Sequence, residues 1–377
     1  MPDWRVPLAD VVVPERDIDV VADVYRSGWL SMGPRTVAFE EAFAEYAGAR
    51  HAVAASSGTA ALHLMCLAAG LGAGDEVIVP SLTFVATVNA IRYTGATPVF
   101  ADVVGPCEPW LSAERCAELA GPRTRAILHM PYGGHPGQLD ALRSLAAERD
   151  VPLLLDAAHA IGARFRGAPV ATYGAAAAFS FFSNKNLPVG EGGALTTDDD
   201  GIAQRTRLLR SHGMTALSWD RARGHATGYD VVALGHNYRM DEPRAALGRA
   251  RLLTLDEETA RRRELDARYR ERLAGVVDCA LAPDADSEPA CHLFTVVLPE
   301  DADREAVRER LVAAGVQTSV HYPPAHRFRI HAECPAGPLP ETERYAARAV
   351  TLPMFAHMTE AQQDLVVAEL GAALGRR

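Results

Sequence analysis

From about residue 50 to 200 the chain alternates short apolar runs with longer stretches whose apolar positions recur at helical spacing. That is the pattern of helices packed on a largely parallel sheet. The apolar runs predict seven strands, over 51–55, 76–79, 98–102, 125–130, 152–156, 176–181 and 194–197, with helices in most of the gaps. Open sheets of this kind bind ligands at the carboxyl ends of their strands. Ser57, Asp156 and the loop holding Lys185 each follow a predicted strand, so three separate segments converge on one edge.

After Asp241-Glu242-Pro243, a start signal with Pro in the first turn, a charged periodic segment predicts one long helix to about Leu273. Beyond it the pattern predicts a strand over 291–298, a helix over 303–314, a strand over 317–320 and a terminal helix over 359–374. The expected architecture is α/β. A large domain over 1–250 carries a mostly parallel seven-stranded sheet flanked by helices, and the long helix joins it to a small C-terminal α+β domain over 251–377.

With 377 residues and 48% hydrophobic composition the chain can bury a large core. Its net charge of -10, without any basic run, gives no footprint for nucleic acid or an anionic membrane. A small-molecule partner is expected, and any phosphate must be held by a local site. The six cysteines show neither C-x-x-C nor zinc-ligand spacing and read as reduced thiols of a cytoplasmic protein, with no metal site. The charged N-terminal segment does not resemble a signal peptide. Residues 52–74 carry no charge and are long enough to span a bilayer, but Ser56-Ser57-Gly58-Thr59 and Gly70, Gly72 and Gly74 interrupt them. They read as strand, turn and helix, and no membrane segment is expected.

Lysine occurs once, at Lys185, while arginine supplies the other 37 basic residues. Arginine pairs carboxylates as well as lysine does, but it stays protonated and cannot condense with an aldehyde. A chemistry that needs a neutral primary amine therefore has one candidate side chain. Lys185 lies in Ser180-Phe181-Phe182-Ser183-Asn184-Lys185-Asn186-Leu187, where an apolar strand runs into small and polar residues. This setting suits a Schiff-base lysine whose pKa is lowered by desolvation. Compositional bias toward arginine explains the scarcity of lysine but not this placement.

Ser56-Ser57-Gly58-Thr59-Ala60 opens a helix directly after a strand, where backbone N–H groups and hydroxyls stabilise an anion. The same residues equally serve as an ordinary N-cap. Asp156 ends an apolar strand 29 residues before Lys185, followed by Ala157-Ala158-His159. A carboxylate there can hold a pyridinium N–H while small Ala158 lets the ring lie flat, or it can cap the next turn.

These motifs carry a resemblance. Ser57-Gly58-Thr59, Pro80-Ser81-Leu82-Thr83-Phe84, Asp156-Ala157-Ala158-His159, Ser180 to Asn186 with Gly190-Glu191-Gly192-Gly193, and Gly235-His236-Asn237-Tyr238-Arg239-Met240 stand in the order found in the DegT/DnrJ/EryC1/StrS family. Ser27-Gly28-Trp29 with Gly33-Pro34, Val320-His321-Tyr322 and Leu352-Pro353-Met354 extend the likeness over essentially the whole chain. The family comprises pyridoxal-phosphate sugar aminotransferases of the aspartate-aminotransferase fold, type I.

The resemblance implies that Lys185 binds pyridoxal 5'-phosphate covalently and moves protons, and that Asp156 pairs the pyridine nitrogen. It implies that Phe84 stacks on the ring and His159 contacts the phenolic oxygen. Ser57, Gly58, Thr59 and Ser180 would hold the phosphate, with Asn237 reaching in from the second subunit of a homodimer with shared active sites. Arg221, Arg223, Arg239, His321 and Tyr322 are candidates for contacts to the substrate diphosphate and sugar. The expected reaction moves an amino group from L-glutamate to a keto-sugar nucleotide, with a dTDP-4-keto-6-deoxyhexose favoured and a C-3 keto sugar or an inosose as alternatives. A dehydratase branch of the family carries histidine in place of the Schiff-base lysine, so Lys185 argues against it. The non-enzymatic rival is a cofactor-free scaffold on the same fold.

Overall fold

The structure, a computed structural model, describes residues 4–216 and 228–375. Its centre is a seven-stranded sheet in the order His51–Ala55, Gly193–Thr197, Ala176–Ser180, Leu153–Asp156, Thr124–His129, Glu76–Pro80, Thr97–Ala101. All neighbours pair in parallel except Gly193–Thr197, which runs antiparallel to both of its neighbours. The strands are almost wholly buried, as a sheet covered on both faces requires. One face packs on Phe39, Phe43 and Leu142, and the other on Leu64, Met65 and Ile91 from the helices Gly58–Ala68 and Val85–Tyr93. The uncharged stretch over 52–74 is thus a buried edge strand of the main sheet followed by a core helix. Among the described residues no helix is long and apolar enough to cross a membrane.

Two close approaches set the geometry of the sheet's functional edge. A Cβ on Gly58 would lie 2.6 Å from the Cβ of Ser180, and one on Gly193 would lie 2.4 Å from the Ser57 carbonyl oxygen. Glycine at both positions lets the start of the Gly58–Ala68 helix rest directly on the ends of two strands.

A second sheet of three antiparallel strands, Asp278–Cys279, Phe294–Val297 and Ala349–Leu352, lies in the C-terminal part of the chain. It packs with the helices Leu255–Leu273, Arg304–Ala313 and Glu360–Ala373 around Tyr269, Val296, Leu311, Val350 and Val366. Val6 joins this core from the opposite end of the chain. Its N–H donates to the Gly315 carbonyl at 3.1 Å, and its own carbonyl accepts the Gln317 N–H at 3.0 Å.

Two local expectations are corrected. The long helix is two helices, Glu242–Leu252 and Leu255–Leu273, separated at Leu253 and Thr254. Asp256, Glu257 and Glu258 crowd the first turn of the second one, where negative charge favours a helix N-terminus, so the chain restarts there. The predicted strand over 317–320 is reduced to an isolated bridge between Ser319 and Thr351, because the Ala349–Leu352 strand, which the sequence reading did not anticipate, takes the sheet position beside Phe294–Val297. A third small sheet, Ser287–Glu288 with Arg164–Phe165 and Ala168–Pro169, was also not anticipated.

Candidate active site

The carboxyl ends of the parallel strands and the start of the antiparallel one meet at a cleft of about 380 Å³. Ser57, Gly58 and Thr59 enter it from the first strand's helix, Asp156 and His159 from the middle strand, and Ser180 and Lys185 from the strand beside it. Phe84, His321 and Tyr322 close the other side.

Lys185 is half-buried, with exposed Asn184 before it and buried Asn186 and Leu187 after it. Burial lowers its pKa from 10.5 to about 8, against the opposing pull of Asp156. At neutral pH a useful fraction of such an amine is unprotonated, as nucleophilic attack demands. Lys185 also borders a second cavity of about 320 Å³ on the far side of its loop. That cavity is lined by charged pairs such as Arg251 with Asp17 at 2.7 Å, and neither Asp156 nor the Ser57-Gly58-Thr59 turn borders it.

Asp156 is 2% exposed. Its Oδ2 accepts the Thr87 hydroxyl at 2.6 Å and its Oδ1 accepts the Ala158 N–H at 3.2 Å. Burial raises its pKa, and the bonds from Thr87 and Ala158 and the nearby Lys185 oppose the rise. Carboxylate oxygens carry more lone-pair sites than these two bonds use, so Asp156 can still accept an N–H from a ring in the cleft. Thr87 had no signal in the sequence beyond a polar position in an apolar helix.

The Ser57 hydroxyl accepts the Ala60 N–H at 3.1 Å, so the N-cap reading of that serine holds. It leaves the first-turn N–H groups of Gly58 and Thr59 at the cleft, where the helix start favours an anion. The cap and the anion cradle are the same structure.

His159 is buried, and its Nδ1 accepts the Gly133 N–H at 3.3 Å. The proton therefore sits on Nε2, which donates to the Tyr322 hydroxyl at 3.0 Å. Burial and the neighbouring Lys185, His292 and His321 hold His159 well below the usual histidine range. Burial and Lys185 lower His321 to about 4. Phe84 stays half exposed, with its ring 5.6 Å from that of Tyr322.

Not every expected residue reaches the cleft. Asn237 is exposed and pairs with Ser211 in an isolated bridge, outside the cleft of its own chain. Arg239 is also absent from the lining; burial lowers its pKa and the like charge of Arg210 adds to this. Arg221 and Arg223 lie outside the described residues. Conversely, His292 approaches Lys185 from a segment that the sequence reading treated only as a strand.

A sequence profile of the DegT/DnrJ/EryC1/StrS aminotransferase family matches residues 12–371. The chain belongs to that family. By this membership it is a pyridoxal-phosphate-dependent sugar aminotransferase of fold type I. Solved structures similar to it include the aminotransferase TlmJ from Streptoalloteichus hindustanus, 34% identical over 98% of this chain and 99% of that one, with a TM-score of 0.91. S. venezuelae DesV, solved in complex with a ketimine intermediate, is 36% identical over 99% of this chain and 100% of its own, with a TM-score of 0.91. DesI, solved in the presence of its TDP-sugar product, is 35% identical over 99% of this chain and 93% of its own, with a TM-score of 0.88.

Proposed function

We propose that the chain transfers an amino group from L-glutamate to a keto-sugar nucleotide, with a dTDP-4-keto-6-deoxyhexose as acceptor. The observation that carries this reading is one cleft lined by the sole lysine, a buried strand-end carboxylate and an exposed helix start. Pyridoxal 5'-phosphate fits these residues. The Gly58 position, where a Cβ would strike Ser180, leaves the helix start open to the phosphate, and Asp156 keeps acceptor capacity for the ring nitrogen. When bound, the cofactor supplies an electron sink for cleaving and forming bonds at the amino-bearing carbon.

The chain's own residues divide the remaining work. Lys185 is the covalent anchor and then the base that carries a proton at its Nζ between donor or acceptor carbon and cofactor. Asp156 holds the ring N–H, with its orientation fixed by Thr87. His159, neutral and donating to Tyr322, would meet the ring's phenolic oxygen, and Phe84 would stack on the ring. Ser57, Gly58, Thr59 and Ser180, which line the cleft together, would hold the phosphate. His321 and Tyr322 face the substrate, and Arg239 would need a second subunit or a movement of its segment to contribute.

The homodimer belongs to the same proposal. Val231, Val232 and Leu234 are exposed beside Asn237, with Leu234 96% exposed, an apolar surface suited to a second copy that would receive Asn237 at its phosphate. A working division into 1–250 and 251–377 is supported by the separate core around Tyr269 and Val296, into which Val6 reaches back. The likeness to DesI, which was solved with its TDP-sugar product, supports TDP-sugar chemistry.

The test offers the amine-loaded enzyme a panel of keto-sugar nucleotides and reads the aminated carbon by NMR. A 4-amino product from the dTDP-4-keto sugar is expected, with glutamate reloading the enzyme for further turnover. A 3-amino product, or turnover of an inosose alone, overturns the acceptor assignment.

A further inference from the structure

His292 lies 107 residues beyond Lys185, yet its Nε2 is 3.4 Å from the lysine Nζ. The imidazole is 6% exposed, and its protonation pattern can be read from its neighbours. The Asn186 amide nitrogen donates to the Ala290 carbonyl at 2.9 Å, which turns the Asn186 oxygen toward His292 Nδ1 at 3.1 Å. An amide oxygen only accepts, so Nδ1 carries the hydrogen and Nε2 presents a bare lone pair. The His292 backbone N–H donates to the Gly133 carbonyl at 2.9 Å, which fixes the point from which the ring extends.

We propose that His292 is a positioning residue for Lys185: its Nε2 lone pair accepts a hydrogen from the lysine amine and holds that amine in the cleft whenever it is not covalently engaged. The proposal rests on the assignment of Lys185 as the reactive amine. Transamination needs the lysine released from the cofactor in mid-reaction, and a long aliphatic stem freed in this way otherwise samples many rotamers. An acceptor at hydrogen-bonding range on a rigid strand entry limits that search.

The groups around the pair support a neutral imidazole. The His159 ring packs against it, tilted by 42° with ring centres 4.3 Å apart, and burial together with Lys185, Arg262 and His321 keeps His292 well below its ordinary range. On the lysine side, Asp156 is the one charged group that opposes the effect of burial on the amine. A neutral acceptor bonds an ammonium more strongly than an amine, so His292 holds the lysine pKa above the value burial alone would give.

The single lysine makes this directly measurable. Full-length protein freed of cofactor and labelled with 13Cε-lysine gives one side-chain resonance, and its pH titration gives the Lys185 midpoint. His292→Phe removes the acceptor and keeps an aromatic ring; it should lower the midpoint by about one pH unit or more, the size of a hydrogen bond to a charged group. His292→Gln restores an acceptor oxygen and should recover part of that shift. A midpoint that stays or rises in His292→Phe overturns the proposal, as does an equal drop in both variants, which would mark a packing role. If His292→Phe fails to fold, 15N-histidine spectra of the unmutated chain decide, with His292 assigned by its loss in His292→Gln. An unprotonated Nε2 supports the proposal and an Nε2–H overturns it. Borohydride labelling of the holoenzyme tests separately whether Lys185 is the reactive amine, so the two can fail independently.

Discussion

The Thr87 hydroxyl donates to Asp156 Oδ2 at 2.6 Å, within a buried site where a carboxylate gains much from each donor it receives. Thr87→Val should leave the fold intact and raise the Asp156 pKa further, weakening its hold on the ring nitrogen. Cofactor affinity should fall by roughly tenfold to a hundredfold, the equivalent of losing one hydrogen bond to a charged group. Asp156→Asn should cost far more turnover than affinity, because a neutral amide does not sustain the pyridinium. Absorbance titrations and steady-state rates separate the two effects; unchanged affinity in Thr87→Val would reduce that hydroxyl to packing.

Gly58→Ala tests the cradle. The added methyl meets Ser180 at 2.6 Å and must displace either the helix start or the strand end. Overpacking of this kind costs about 1 to 3 kcal/mol. Both stability, by urea denaturation, and retention of the cofactor phosphate should fall. Ser180→Gly in the same background removes the clashing Cβ and should restore stability more than cofactor retention.

Lys185 carries a pH signature in the cofactor-free chain. Its fall from 10.5 to about 8 means the folded state disfavours the ammonium, at 1.36 kcal/mol per unit a penalty on the order of 3 kcal/mol. The folded state binds fewer protons than the unfolded one between those values, so stability rises with pH across that window. Lys185→Met should therefore stabilise the cofactor-free protein at pH 7, and the advantage should vanish by about pH 10.5. Urea midpoints at the two pH values check the sign. Lys185→Arg keeps the charge but should abolish turnover.

Asn237 is exposed and outside its own chain's cleft, which makes sharing between subunits testable. Asn237→Ala should weaken cofactor affinity by about one to two decades if it removes a hydrogen bond to phosphate. Mixing Lys185→Ala with Asn237→Ala at limiting cofactor lets subunits exchange. Shared sites predict that a heterodimer gathers both lesions in one site and leaves the other whole, so activity returns. Exchange without recovery would confine each site to one chain.

The seven strands of the main sheet were legible because buried parallel strands are nearly continuous apolar runs, and observed ends such as Thr97–Ala101 and Ala176–Ser180 fall within one residue of expectation. Lys185 and Asp156 were legible because lysine occurs once and because an acidic residue ends an apolar run. Thr87 and His292 were not, since their meaning comes from partners 69 and 107 residues away with no local pattern to mark them. The break at Leu253 and Thr254 was readable in retrospect: threonine followed by Asp256, Glu257 and Glu258 is a helix-start signal that the continuing amphipathic pattern masked.

The clasp between Val6 and the Gly315–Gln317 segment has a consequence for how the chain is made. Val6 bonds both Gly315 and Gln317, and Leu8 bonds Gln317 and Met354, partners that emerge from the ribosome only after three hundred further residues. While domains otherwise fold as they are synthesised, the residues around Val6 have nowhere to dock until then. Until those partners are made the segment stays undocked, so a stretch translated long before its partners is among the last to find its place.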